Sequence, residues 1–208
     1  KSTKEVTLET MINHSKSVRL GVKKSIMIVD MPYNTYRNSR EALKNVKLVM
    51  KKTKCDGVKL EGGKKIIPIV KNLTKNKIPV MGHVGILPQT DKKFSFKGKK
   101  QKEIDRILND TKLLENAGVF SIVLECVETK LSKQITKNIK IPTIGIGSSS
   151  NCDGQVLVID DLIGMSDSKF KFVKKYVDLS RIINSAVKKY KNEVKNKQFP
   201  RAKHSFAN

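Results

Sequence analysis

Six short apolar runs, interleaved with amphipathic stretches, set the tightest limit on what this chain can fold into. They are residues 25–30 (SIMIVD), 57–61 (GVKLE), 79–83 (PVMGH), 121–126 (SIVLEC), 142–147 (PTIGIG) and 156–161 (VLVIDD). Each is rich in β-branched residues, the pattern of strands buried on both faces. The stretches between them have helical spacing. Thr7 caps a helix carrying Leu8, Met11, Ile12 and Val18, and Ser39 caps a second carrying Ala42, Leu43 and Val46. Ile66, Ile67, Val70 and Leu73 form a third, with Pro68 tolerated in its first turn. Ile104, Ile107, Leu108 and Leu114 form a fourth, and Leu131 with Ile135 a short fifth. A long final stripe runs through Ile182, Ile183, Ala186, Val187, Tyr190 and Val194. Strand–helix alternation of this kind builds a parallel sheet.

Two architectures compete, an open doubly wound sheet and a TIM (β/α)8 barrel. An open sheet concentrates its polar residues near one switch point, whereas a barrel gathers them from strand ends around a ring. Here they close four successive strands: Asp30, then Lys59 with Glu61, then His83, then Glu125. The expected fold class is therefore α/β, a (β/α)8 barrel. Only six strand runs are present and the first helix has no strand before it, so the first two strands are expected to be missing from this chain. The 208 residues suffice for one domain with a real core. The expected organisation is a single, N-terminally incomplete barrel domain over 1–208, with a polar C-terminal tail over 191–208. The segment 90–102 (TDKKFSFKGKKQK) reads as a basic insertion after the third strand.

The formal net charge is +24. Such a charge can mark a nucleic-acid binder. The Lys-Lys pairs, however, are scattered from 23–24 to 188–189 and form no single stripe, and aromatics are 5% with no Trp. Stacking platforms are thus scarce, and solvated lysine faces are the favoured reading over a nucleic-acid partner. No window approaches the roughly 18 apolar residues of a membrane span, so no membrane partner is expected. Cys55, Cys126 and Cys152 lie far apart with no CxxC spacing. They read as small buried hydrophobes and fit a reducing compartment; the location is left open between cytoplasmic and mitochondrial.

Residues i and i+2 of a strand face the same way. Lys59 and Glu61 therefore share one face and Val58 and Leu60 the other. The apolar pair suits the helix layer, so the charged pair points into the barrel. A buried ion pair adds little stability, and the pair reads as functional. Asp30 at the end of the preceding strand can converge with Glu61 on a divalent ion. Oxygen ligands point to Mg2+ or a similar hard cation. His83 reads equally as a structural histidine or a site residue. Glu125 closes an otherwise apolar strand, as a base or as the partner of a lysine such as Lys59. Gly145-Ile146-Gly147 matches neither a Walker loop nor a dinucleotide fingerprint, and close packing at a strand end explains it.

The segments DMPY (30–33), VKLEGG (58–63), PVMGHVGILPQT (79–90), AGVFSIVLECV (117–127), IPTIGIG (141–147), DGQVLVIDDLIG (153–164) and HSF (204–206) occur in this order. Together they resemble the ketopantoate hydroxymethyltransferase family over essentially the whole chain. The resemblance implies a barrel of the phosphoenolpyruvate/pyruvate-domain type, assembled as a homo-oligomer, often a decamer. It implies hydroxymethyl transfer from 5,10-methylenetetrahydrofolate to 3-methyl-2-oxobutanoate, giving 2-dehydropantoate, with Mg2+ as cofactor. By motif, Asp30 and Glu61 would be two of three metal carboxylates and Asp30, Lys59 and His83 would contact the keto acid. Glu125 would accept the proton. The family's Gly-Asp-Ser motif, which carries the third carboxylate, does not occur in this sequence. The loop after PQ is shortened to FSFKGKKQ, and GIGSSS stands where GIGAG is usual. The alternatives are a related Mg2+-dependent barrel lyase or mutase acting on another 2-oxo acid, or a degenerate non-catalytic homologue.

Overall fold

The computed structural model describes residues 3–91 and 94–206; Lys92 and Lys93 of the basic insertion lie outside them. The strands are β1 (Ile28–Asp30), β2 (Gly57–Glu61), β3 (Val80–Gly85), β4 (Ser121–Glu125), β5 (Thr143–Ile146) and β6 (Gly154–Gln155). The helices are α1 (Leu8–Gly21), α2 (Ser39–Thr53), α3 (Ile67–Lys75), α4 (Gln101–Asn116), α5 (Thr129–Asn138), α6 (Ile159–Leu162) and α7 (Leu179–Lys195).

All six strands are parallel, and each pairs with the next in sequence. An open doubly wound sheet breaks that order where its two halves diverge, and a barrel wall does not. The chain thus forms six consecutive staves of a (β/α) barrel. Its core lies between sheet and helices. Val58, Leu60, Val80, Ile122 and Leu124 are fully buried, as are Val46 and Val49 of α2, Val70 and Leu73 of α3, and Ile135 of α5. All three cysteines are buried and unpaired. No helix among the described residues is long and apolar enough to cross a membrane.

The register matters more for function than the number of staves. Asp30 lies beside Lys59, Glu61 beside His83, and Gly85 beside Glu125. Lateral pairing therefore brings together residues that are 22 to 40 positions apart in the chain.

Residues 1–156 and 157–208 form two compact units. The first contains every strand. In the second, α6 occupies part of the run expected to be a strand over 156–161. Only Gly154 and Gln155 pair with β5, and the ladder adds one further bond, from Val156 N–H to Gly145 O at 3.0 Å. Val156, Val158 and Ile159 are exposed, so the burial that sustains a β-branched strand is absent there. The α7 stripe is present, but none of its residues is buried.

A second departure concerns a cap. Thr7 caps α1 as its position suggests, accepting from Thr10 N–H at 3.1 Å. The cap of α2 is Asn38, not Ser39; Asn38 Oδ1 accepts from Glu41 N–H at 2.9 Å. Asn and Ser serve equally well as caps, so adjacent candidates are separated only by where the backbone turns helical. Asn38→Ala should therefore destabilise the protein by about 1 kcal/mol, with Ser39→Ala close to neutral, as measured by urea unfolding.

Candidate active site

Strand β2 sets the site. Val58 and Leu60 are wholly buried toward the helices, which turns Lys59 and Glu61 to the opposite face. The Lys59 ammonium lies 3.1 Å from Asp30 Oδ2, 3.9 Å from Glu61 Oε1 and 3.0 Å from His83 Nδ1. The Lys59 and Glu61 side chains are only 12% and 7% exposed, whereas Asp30 is half exposed. An ammonium has no lone pair, so His83 Nδ1 is the acceptor and Nε2 carries the hydrogen. That Nε2–H faces Ile86 O at 2.9 Å and Glu125 Oε2 at 3.2 Å. The five residues singled out in the sequence are thus one connected cluster, running Asp30, Lys59, Glu61, His83, Glu125. Glu125 meets His83 and not Lys59.

The backbone around the cluster explains its glycines. Gly85, at φ +100°, brings β3 so close to β4 that any Cβ there would strike the Glu125 carbonyl. The approach lets Ile86 N–H donate to Glu125 O at 2.9 Å while Ile86 O turns back to His83. Gly62 has φ +136°, and a Cβ on Gly63 would run into the Asp110 carboxyl, which accepts Lys64 N–H at 2.8 Å. Both glycines are thus required by the chain's own packing.

Two residues without a role in the sequence reading complete the site. Gln89 N–H donates to Glu61 Oε2 at 3.1 Å, and Tyr36 OH donates to Gln89 Oε1 at 2.7 Å. Gln89 belongs to the PQT segment that carries the family resemblance, which is the one signal that could have flagged it. Nothing in the sequence marks Tyr36. Beside Glu61 opens a cavity of about 950 Å³, lined by Tyr33, Tyr36, Leu87, Ile107 and the cations Arg37 and Lys64. The basic insertion is pinned at this end of the sheet. Lys97 N–H donates to Cys126 O at 2.8 Å, and its ammonium pairs with Asp91 at 2.8 Å.

Burial pushes the Glu61 carboxyl above the usual carboxylate range, opposed by the nearby Lys59 charge and the Gln89 N–H. Burial likewise pushes the Cys126 thiol up to about 11, aided by the Glu125 charge, so this thiol is a poor nucleophile. Asp30 and Glu61 offer oxygen ligands either side of a cation, a donor set that suits Mg2+, which binds through one or two carboxylates plus substrate and water. Among the described residues no group of three or more His, Cys, Asp or Glu could hold a metal alone, so the remaining ligands would come from elsewhere.

The Glu61 shift has a defined consequence. A carboxyl whose pKa is raised on folding binds its proton more tightly in the native state, so its contribution to stability falls as pH rises through the folded pKa. In metal-free protein, Glu61→Gln should melt higher than the native sequence at pH 8. The gap should close as pH falls below about 4.3, the ordinary glutamate value. Paired calorimetric scans across pH measure it.

The family model described as ketopantoate hydroxymethyltransferase matches residues 1–202. A 3-methyl-2-oxobutanoate hydroxymethyltransferase of Pelagibacter ubique (strain HTCC1062) is 63% identical over 99% of this chain and 80% of its own length. The enzyme of the same name from Carboxydothermus hydrogenoformans (strain ATCC BAA-161 / DSM 6008 / Z-2901) is 47% identical over 99% of this chain and 76% of its own length. Among solved structures, a candidate phosphonomutase from Burkholderia cenocepacia J2315 superposes with a TM-score of 0.50 at 10% identity, covering 67% of this chain and 62% of that one, a likeness of fold alone. By the family model and these relatives, the chain belongs to the ketopantoate hydroxymethyltransferase family.

Proposed function

We propose that the protein transfers a hydroxymethyl group from 5,10-methylenetetrahydrofolate to 3-methyl-2-oxobutanoate, giving 2-dehydropantoate. The observation that carries this reading is the Lys59 ammonium held between two carboxylates, with Glu125 one histidine away. The names of the relatives supply the keto acid. No observation favours a lyase, a mutase or a non-catalytic role.

A 2-oxo acid presents two adjacent oxygens, on C1 and C2. Asp30 and Glu61 would hold Mg2+, which when bound supplies Lewis acidity at the keto oxygen and makes the C3 proton removable. Lys59 binds the same anionic end and stabilises the charge that develops on the keto oxygen. Glu125 takes the C3 proton. His83 orients Glu125 through Nε2–H and is itself oriented by Lys59 through Nδ1, so base and anion-binding cation keep a fixed relation. The enolate carbon then bonds to the one-carbon unit of the folate. Overall one water is consumed and tetrahydrofolate leaves. The cavity beside Glu61 is large enough for a donor of that size. A homo-oligomer belongs to the same proposal. The α7 face, with Ile182, Val187 and Tyr190 exposed, supports it, and light scattering tests it.

Glu125→Gln should abolish exchange of the C3 proton of 3-methyl-2-oxobutanoate in D2O, followed by NMR, while leaving keto-acid binding within a few-fold. Exchange persisting at the native rate would remove Glu125 as the base.

A further inference from the structure

Gln89 is buried although it lies in the loop after β3. A buried amide needs partners for both its ends. Its Nε2 donates to Met31 O at 2.9 Å, and its Oε1 accepts from Tyr36 OH at 2.7 Å. The second contact of the Tyr36 hydroxyl, to Glu61 O at 3.5 Å, is too long to compete for its one hydrogen. Burial holds the phenol above its ordinary value, so it remains a donor. The amide orientation is thereby fixed, because a flip would set oxygen against the Met31 carbonyl. With the side chain anchored at both ends, the Gln89 backbone N–H is aimed at Glu61 Oε2 at 3.1 Å. Met31 directly follows Asp30, and its own N–H donates to Lys59 O at 3.0 Å. One glutamine therefore ties the end of β1, the end of β2 and the segment leading into α2.

We propose that Gln89 is a positioning residue for the Asp30–Glu61 carboxylate pair. Its side chain fixes the spacing of the two strand ends, and its backbone N–H sets the Glu61 carboxylate, so that a divalent cation and the keto acid meet a preformed pair. Tyr36 acts through Gln89. The proposal rests on the metal reading given above and adds the residue that shapes the site.

The test uses the full-length enzyme with Mn2+ as the cation, its affinity read by electron paramagnetic resonance with and without 3-methyl-2-oxobutanoate. Gln89→Ala and Gln89→Glu should weaken Mn2+ binding by about 10- to 100-fold, the range for losing a group that orients a metal ligand. Tyr36→Phe, which leaves the core volume intact, should give a smaller loss in the same direction. Adding Tyr36→Phe to Gln89→Ala should cost nothing further, since both act along one path. Mn2+ affinity within twofold of native in folded Gln89→Ala would overturn the proposal, even if its melting temperature fell. Should Gln89→Ala not fold, unchanged affinity in Tyr36→Phe and Gln89→Glu would overturn it equally. Native enzyme that bound no Mn2+ would overturn the metal reading and this proposal together. Native binding with unaffected variants would overturn this proposal alone.

Discussion

The Lys59 ammonium is the interaction on which the site depends. It is largely withdrawn from water and lies against Asp30, Glu61 and His83. A buried charge is tolerated only when its partners compensate the lost hydration. Each partner is fixed in turn: Glu61 by the Gln89 N–H, His83 by Ile86 O and Glu125, and Asp30 by its place beside Lys59 in the sheet. Removing Lys59 would leave the buried Glu61 carboxylate without its cation, beside the half-exposed Asp30 carboxylate. The arrangement adds little to stability. It does create a fixed cation beside two hard oxygen donors, the set that the proposed 2-oxo acid and metal would use.

The barrel makes that arrangement possible through register. Parallel staves in sequential order place each strand end beside the next, so that the candidate site residues meet edge to edge. Gly85 then draws β3 against β4, and through Ile86 closes the hydrogen bond that fixes the His83 ring. The geometry of the candidate site and the close approach of β3 to β4 are thus one feature. A side chain at residue 85 would strike the Glu125 carbonyl and alter the ring orientation.

Much of this was legible in the chain itself. Strand β2 ends where the alternation of GVKLE says it should, and the same alternation turned Lys59 and Glu61 away from the helices. Asp30, His83 and Glu125 stood out because each closes an apolar run. The run at 156–161 misled, since a β-branched stretch forms a strand only where burial and a paired neighbour sustain it. The cap of α2 shifted by one residue for a similar reason, as two good caps stood side by side.

The sequence by itself determined the βα alternation, the face on which each strand carries its charges and the residue types able to bind a hard cation. These follow from periodicity and side-chain chemistry, which are local. Only the tertiary structure decided that Glu125 pairs with His83 and not Lys59, that Gly63 makes way for Asp110, and that Gln89 and Tyr36 belong to the site. Those contacts join residues 42 to 53 positions apart, and no local pattern records which pair the closing sheet will bring within hydrogen-bond reach.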